Sequence, residues 1–529
     1  MKRKLQTFTR IGLVTAMAAV LLLPGCGKEE AADNGNNKTG EILNETGMPI
    51  VKEPITLNFF AGRHPDSNPD WNDVLIFNEY EKMTNMDIQW TMVPTDILDE
   101  KRNLVLASGD YPDAFHTARI PTSDLLKYGK EGVFIPLNDL IDKYAPNLKK
   151  LFEQYPYIKK GITMPDGNIY GFPTLYSPDF DSVLAHKTWI RQDWLNELGL
   201  SMPDTTEQFY QMLKAMKEKI KNDGGPVIPF GAAKMTDVLW YFRGSWGLGT
   251  AGELHPYVDL DPQTNEPRFM PTDPRYKEML EYLHKLYSEG LIDPNIFTMN
   301  SGEFVAQGKK GQYGVVVTIL PQVSFDIQEY EILKPMKGPY GDQLHTMVRS
   351  PLNQIGSFVI TSKNKYPEAT VRWIDYFYGD EGIKLFFMGI EGVTYKKEAD
   401  GTYVYTDELN EKKTSYFLTW PGGGYPSMVK QEYFKGAESL PISIESVKKI
   451  KPYFIKEAWP LFTYTDEENQ IMRSVQTDIE TYVNEMLAKF VTGKTPFTEW
   501  DNYVQTLKNM GLDKYMQVYK SAYQRYKNS

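Results

Sequence analysis

The chain of 529 residues contains one cysteine, Cys26, which directly follows an apolar N-terminal segment. This segment has basic residues at its start and then the mainly apolar run Ile11–Leu23, which is shorter than the about 20 residues of a membrane-spanning helix. The pattern is typical of a secretory signal peptide, so we expect residues 1–25 to be removed. Because an exported chain with one cysteine cannot form an internal disulfide, its hydrophobic core must stabilise the fold.

The next segment, residues 26–53, is polar and nearly free of aromatic side chains, which predicts a flexible tether. The remainder is longer than one hydrophobic core usually spans, so we expect two lobes. The formal net charge of −11 argues against nucleic-acid binding and against electrostatic attachment to a membrane surface.

Alternating extended and helical patterns follow the tether. Ile55–Phe59 and Ile88–Met92 alternate as strands do, and Trp71–Thr84 and Ile97–Ala107 show helical spacing. Two such units in succession predict an α/β fold with a parallel sheet.

Three further patterns are specific. Thr205 and Gln208 have the spacing of a capping box before a helix that reaches Ile220. The continuous apolar run Gly314–Leu320 predicts a strand that is buried on both faces. Apolar residues at helical spacing predict two helices near the C-terminus: Val475, Ile479, Tyr482, Met486 and Phe490 in one, and Trp500, Val504 and Leu507 in the other.

Short stretches across most of the chain carry a family resemblance. They are Leu106–Phe115, Val133–Asp142, Asp166–Pro173, Ile190–Gly199, Glu289–Pro294, Ile360–Ala369 and Trp373–Phe377. In this order they resemble the extracellular solute-binding lipoproteins of carbohydrate ABC importers, of the family 1 type and its large Gram-positive branch.

This resemblance implies a two-lobed, periplasmic-binding-protein-like α/β fold with a central cleft and a helical C-terminal part. Lobe one would comprise residues 54–173 and 311–389, and lobe two residues 174–310 and 390–529, with hinges near Pro173, Gly311 and Gly389. It also implies a monomer that captures an oligosaccharide in the cleft by hinge closure and delivers it to ABC permease subunits.

The end of the signal segment, Leu23-Pro24-Gly25-Cys26, resembles a bacterial lipobox. The resemblance implies acylation of Cys26 and anchoring at the extracellular face of the cell membrane. Pro24 departs from the pattern, which prefers a small residue such as Ala, Ser or Thr there. The alternative is an ordinary signal peptide with an unrelated cysteine.

A sugar-binding site needs flat aromatic rings beside polar side chains. The densest such group is Trp240, Arg243 and Trp246, in which Trp240 and Arg243 share a helical face. In the alternative interpretation the two tryptophans fill the interior of lobe two. The further candidates are Trp420 and Tyr425 in a glycine-rich loop, Arg63 and His64 after the first strand, and Tyr170, Tyr176 and Arg191. Convergence of Arg63, Arg191 and Arg243 would indicate a uronate-containing oligosaccharide.

Motifs for metal binding and for catalysis are incomplete or were not found in this sequence. Residues 221–230 have too few carboxylates for a calcium loop, and residues 259–264 lack the glycine of an EF-hand and look like a hairpin turn. The sequence has no nucleophile elbow and no zinc-protease motif, so we expect no metal, no cofactor and no enzyme activity. A peptide-binding transport lipoprotein and a secreted glycoside-active enzyme are the alternatives.

Overall fold

A computed structural model describes residues 42–64, 67–407, 409, 419 and 424–528. The signal segment, Cys26, the first part of the expected tether and Trp420 lie outside the described residues. Within the described residues, every helix is too short or too polar to span a bilayer.

The strands follow the predicted alternation. In chain order they are β1 (Ile55–Arg63), β2 (Met86–Pro94), β3 (Ala114–His116), β4 (Phe172–Tyr176), β5 (Thr188–Arg191), β6 (Ile228–Ala232), β7 (Val258–Leu260), β8 (Pro267–Phe269), β9 (Tyr313–Val317), β10 (Tyr330–Ile332), β11 (Leu352–Ile360), β12 (Tyr395–Lys397), β13 (Tyr403–Tyr405) and β14 (Met428–Val429).

The helices connect and cover these strands. They are α1 (Leu75–Thr84), α2 (Leu98–Ser108), α3 (Thr122–Lys130), α4 (Asn138–Tyr144), α5 (Pro146–Gln154), α6 (Pro156–Ile162), α7 (Asp181–Leu184), α8 (Gln192–Leu198), α9 (Thr206–Lys219), α10 (Met235–Arg243), α11 (Pro274–Ser288), α12 (Ser301–Lys309), α13 (Pro321–Ser324), α14 (Pro367–Asp375), α15 (Asp380–Met388), α16 (Pro441–Ile450), α17 (Asp466–Val491), α18 (Trp500–Asn509) and α19 (Leu512–Asn528). The predicted capping box at Thr205 is present, and the two predicted C-terminal helices are α17 and α18.

The larger sheet has the strand order β14-β4-β11-β3-β1-β2. Strand β1 is parallel to β2 and β3, and β14 is parallel to β4, whereas β11 is antiparallel to β3 and β4. The parallel strands therefore all end at one edge of this first sheet. In open α/β sheets, ligands bind beside that edge.

The second sheet has the order β10-β5-β9-β6, with β6 parallel to β9 and β5 antiparallel to both of its neighbours. Its central strand β9 is buried along its whole length, as the apolar run predicts. Side chains of β9 contribute to two cores: Val315 and Val317 belong to one, and Tyr313 and Val316 to the other.

The lobe boundaries expected from the resemblance need correction. Strand β9 was expected in lobe one, but it pairs with strands of the second sheet. Residues 390–434 were expected in lobe two, but Tyr395, Met428 and Val429 belong to the core of the first sheet. The sequence could not decide this, because a strand buried on both faces fits the centre of either sheet.

The expected tether is also shorter than predicted. Residues 42–51 pack against the first sheet, with Ile50 and Val51 fully buried in its core. Arg372 holds this segment by donating hydrogen bonds to the carbonyl oxygens of Asn44 and of Gly47, the latter at 2.6 Å. Three buried apolar side chains, Leu43 among them, backbone hydrogen bonds to Thr84 and the Arg372 contacts thus hold a stretch whose composition is mostly polar.

Candidate ligand-binding cleft

Three chain segments cross side by side between the two sheets. Residues 184–187 and 347–349 run antiparallel, with backbone hydrogen bonds of 3.0 Å and 2.8 Å between them. Residues 453–455 pair with His345 on the same crossing segment. These crossings do not include Pro173, Gly311 or Gly389, near which the resemblance places the hinges.

A cluster of charged side chains lies at this junction. Glu253 Oε1 lies 2.7 Å from His186 Nδ1, and Arg349 Nε donates to Glu253 Oε2 at 3.3 Å. The Arg349 guanidinium also contacts His186 Nε2. Glu253 is buried, whereas the His186 and Arg349 side chains are 30% and 29% exposed and can reach a ligand.

The pKa of Glu253 reflects these contacts. Burial alone would raise the pKa of this carboxyl, but the charges of His186, Arg349 and Arg243 outweigh burial and lower it. The carboxylate therefore stays ionised, and it keeps the two partly exposed donors in place.

The second sheet contributes an aromatic cavity. Its volume is about 410 Å³, and it lies where β6 leads into α10. The half-buried Trp240, one of the candidates from the sequence, lines it. The other lining side chains that suit a sugar ring and its hydroxyls are Tyr257, Tyr276, Phe297, Lys234 and Asn484. The sequence analysis missed these five, because they come from separate loops and helices.

The first sheet contributes a polar edge. Arg63 and His64 lie at the end of β1, as predicted, and are partly exposed. After β3, Thr117 and Arg119 both adopt left-handed backbone conformations, with φ of 50° and 51°. Such conformations are unusual outside glycine, cost on the order of 1–3 kcal/mol each and concentrate at functional sites. No sequence signal marks Thr117 or Arg119.

Arg243 and Trp246 are buried, at 2% and 3% exposure. Arg243 donates to Thr346 Oγ1 at 2.9 Å, to the Thr346 carbonyl at 3.0 Å and to the Gly252 carbonyl at 2.8 Å. It therefore fixes a crossing segment to the second core. The alternative interpretation placed both tryptophans in the interior. Trp246 is buried there, as is Arg243, whereas Trp240 lines the cavity.

The remaining candidates do not gather in one place. Tyr170, Tyr176 and Tyr425 are buried in the core of the first sheet, although Tyr176 lies close enough for Arg349 to influence its pKa, which burial raises. Arg191 pairs with Asp193 at the end of β5, which runs opposite to β6 and β9. Arg63, Arg191 and Arg243 are thus not brought together, and the convergence that would have indicated a uronate is wrong for this trio.

The segments considered for metal binding have other roles. Residues 259–264 belong to the predicted hairpin, in which residues 261–266 connect β7 to β8. Asp259 is fully buried and accepts hydrogen bonds from Arg268 at 3.0 and 2.9 Å and from the Gly249 amide at 2.8 Å. Among the described residues, no three His, Cys, Asp or Glu side chains are grouped so as to hold a metal ion.

Comparison with known proteins gives consistent relatives. Residues 68–384 match the family described as bacterial extracellular solute-binding protein. The chain is 29% identical, over 99% of both chains, to the fructooligosaccharide ABC transporter substrate-binding protein FusA of Streptococcus pneumoniae. It is 24% identical, over 85% of this chain and 88% of the relative, to the polygalacturonan/rhamnogalacturonan-binding protein YtcQ of Bacillus subtilis. The structure of S. pneumoniae FusA with kestose covers 90% of this chain and 100% of its own, at 27% identity and a TM-score of 0.75.

The junction cluster predicts a pH-dependent stability. Glu253→Gln should lower the free energy of unfolding by about 1–3 kcal/mol at about pH 7, because the charged hydrogen-bond partners lose their carboxylate. The pKa of Glu253 is lowered in the folded state, so its stabilisation is full above the ordinary carboxyl pKa and is lost as the pH falls through the folded value.

Denaturant unfolding of wild type and variant should therefore show a difference that is constant from about pH 7 to about pH 5 and shrinks as the pH falls below the ordinary carboxyl pKa of about 4.3. The exposed Glu53→Gln is the control and should change stability by less than about 0.5 kcal/mol. A difference that is absent at neutral pH, or that grows in acid, would contradict the assigned ion pairs.

Proposed function

The chain belongs to the bacterial extracellular solute-binding protein family, and we propose that it captures an oligosaccharide in an interlobe cleft for delivery to an ABC importer. The cavity lined by Trp240 carries this proposal, because flat aromatic rings beside Lys234 and Asn484 suit the apolar faces and hydroxyl groups of sugars. FusA and YtcQ, which are named for carbohydrate ligands, support a saccharide over a peptide and a binding protein over a glycoside-active enzyme.

We propose lobes that follow the two sheets and their cores. Lobe one comprises about residues 43–184 and 352–434, and lobe two about residues 185–347 and 454–528. The crossing segments between them form the hinge. Each lobe then contributes one wall of the cleft: the edge that holds Arg63 and Arg119, and the aromatic cavity at Trp240.

Capture proceeds by closure about this hinge. A ligand that contacts both walls gains interactions in the closed form that the open form lacks, so it shifts the population toward closure. Arg349 lies at the junction, partly exposed, and can present guanidinium N–H groups to the ligand from the hinge itself, while His186, whose two ring nitrogens contact Glu253 and Arg349, helps to position it. The importer would then recognise the closed lobes.

The first test is ligand-induced stabilisation of the chain from residue 42 onward. We expect saccharides from a set of neutral oligosaccharides, uronate oligosaccharides and short peptides to raise the melting temperature. A ligand at a hundred times its Kd adds about 2.7 kcal/mol. Trp240→Ala should weaken the affinity for that saccharide about 10- to 100-fold by calorimetry, because an aromatic anchor is lost.

Tyr340→Ala is the matched control, since it removes a half-exposed aromatic ring that does not line the cavity. Its saccharide affinity should equal that of wild type. Stabilisation by peptides alone would overturn the ligand class, and cleavage of an added saccharide would indicate an enzyme.

We also propose that the mature chain is anchored to the extracellular face of the membrane through acylated Cys26, as its lipobox-like segment suggests. Cys26→Ser should release the protein into the culture medium and abolish labelling by a radioactive fatty acid. Retention and labelling of the Cys26→Ser protein would contradict the anchor.

A further inference from the structure

Two arginine residues follow adjacent strands at the carboxyl edge of the first sheet. Strands β1 and β3 are parallel neighbours in which Ala61 pairs with His116. Arg63 follows Ala61 by two residues, and Arg119 follows His116 by three, so both leave the same edge from adjacent strands. This edge is the wall of lobe one in the proposed cleft.

The backbone that carries Arg119 is held by its surroundings. The buried Arg102 donates to the carbonyl oxygens of Ala118 and Arg119, at 3.0 and 2.9 Å, and the Thr117 hydroxyl donates to the Gly62 carbonyl at 2.6 Å. A Cβ at Gly62 would lie 2.6 Å from the Thr117 carbonyl, so only glycine lets β1 and this turn approach. The left-handed conformations of Thr117 and Arg119 are therefore imposed by these contacts.

The Arg119 side chain extends along the edge of the sheet. A Cβ at Gly424 would lie 3.9 Å from Arg119 Nε and 3.7 Å from Gln354 Oε1. Gln354 belongs to β11, and Gly424 precedes β14, so the guanidinium reaches over β11 toward the far strands. It thus lies across the floor of lobe one, where a bound chain of sugars would rest.

Within residues 42–64, 67–407, 409, 419 and 424–528, the charges of Arg63 and Arg119 are uncompensated. In the part of the chain that the structure describes, neither guanidinium has a hydrogen bond or an ion pair. On the adjoining helix α2, Asp99 is paired with Arg102 at 2.8 Å, and among the described ion pairs Glu100, the other carboxylate of this helix, is not joined to Arg63 or Arg119. In a protein whose formal net charge is −11, two free guanidinium groups at a cleft wall create a local site for an anion.

We propose that Arg63 and Arg119 form a subsite for the carboxylates of a uronate-containing oligosaccharide. A guanidinium binds a carboxylate through two parallel hydrogen bonds, which fixes both the position and the orientation of an acidic sugar ring. The inference rests on the proposed function and names its substrate class. The relative YtcQ, named for polygalacturonan and rhamnogalacturonan, is consistent with such a ligand.

Calorimetry with trigalacturonate and with the neutral trisaccharide kestose tests the subsite. Arg119→Gln and Arg63→Gln should each weaken trigalacturonate binding at least about tenfold, and by more than any effect on kestose. Arg119→Lys should retain part of the affinity, because lysine keeps the positive charge but lacks the two parallel N–H donors of a guanidinium. The control is Lys520→Gln, which removes one exposed positive charge from the C-terminal helix α19 and should leave binding unchanged.

Ionic strength gives a second readout that a structural defect would not mimic. Raising salt from about 0.05 to about 0.5 M should weaken trigalacturonate binding to wild type and have less effect on the glutamine variants. Trigalacturonate binding that is equal in wild type and variants, or binding of neutral saccharides alone, would overturn this inference and leave the proposed function standing. Binding of no saccharide of either class would overturn both.

Discussion

The cleft depends on buried charges at the junction of the two sheets. Arg243 holds a crossing segment through three hydrogen bonds, and Glu253 joins that segment to its neighbour through Arg349 and His186. A buried charge is costly unless it is paired, so these contacts specify one arrangement of the crossings. That arrangement orders the segments about which the proposed lobes move, and it sets His186 and Arg349 between the two walls.

The two proposed walls differ in chemistry, and in this proposal the difference makes closure depend on the ligand. The wall from lobe two offers aromatic surface at Trp240, and the wall from lobe one offers guanidinium groups at Arg63 and Arg119. A ligand with apolar ring faces and acidic or hydroxyl groups can satisfy both walls together. A ligand that contacts one wall gains nothing from closure and shifts no population.

Much of the architecture could be predicted from local patterns, because strand alternation, the capping box at Thr205 and the long amphipathic helix α17 are encoded by neighbouring residues. The site was less predictable. Trp240 and Arg243 share a helical face by spacing, yet spacing does not say which of them meets solvent. The turn at Thr117 and Arg119 is imposed by Arg102 and Gly62 from other elements, and the sheet that β9 joins depends on long-range pairing.

Closure of the lobes on a saccharide is the central claim, and small-angle X-ray scattering of the chain from residue 42 onward tests it most directly. With the saccharide that stabilises the protein, the radius of gyration should fall relative to the ligand-free protein. Trp240→Ala at the same saccharide concentration should show a smaller fall. A bound saccharide that leaves the radius of gyration unchanged would contradict capture by hinge closure.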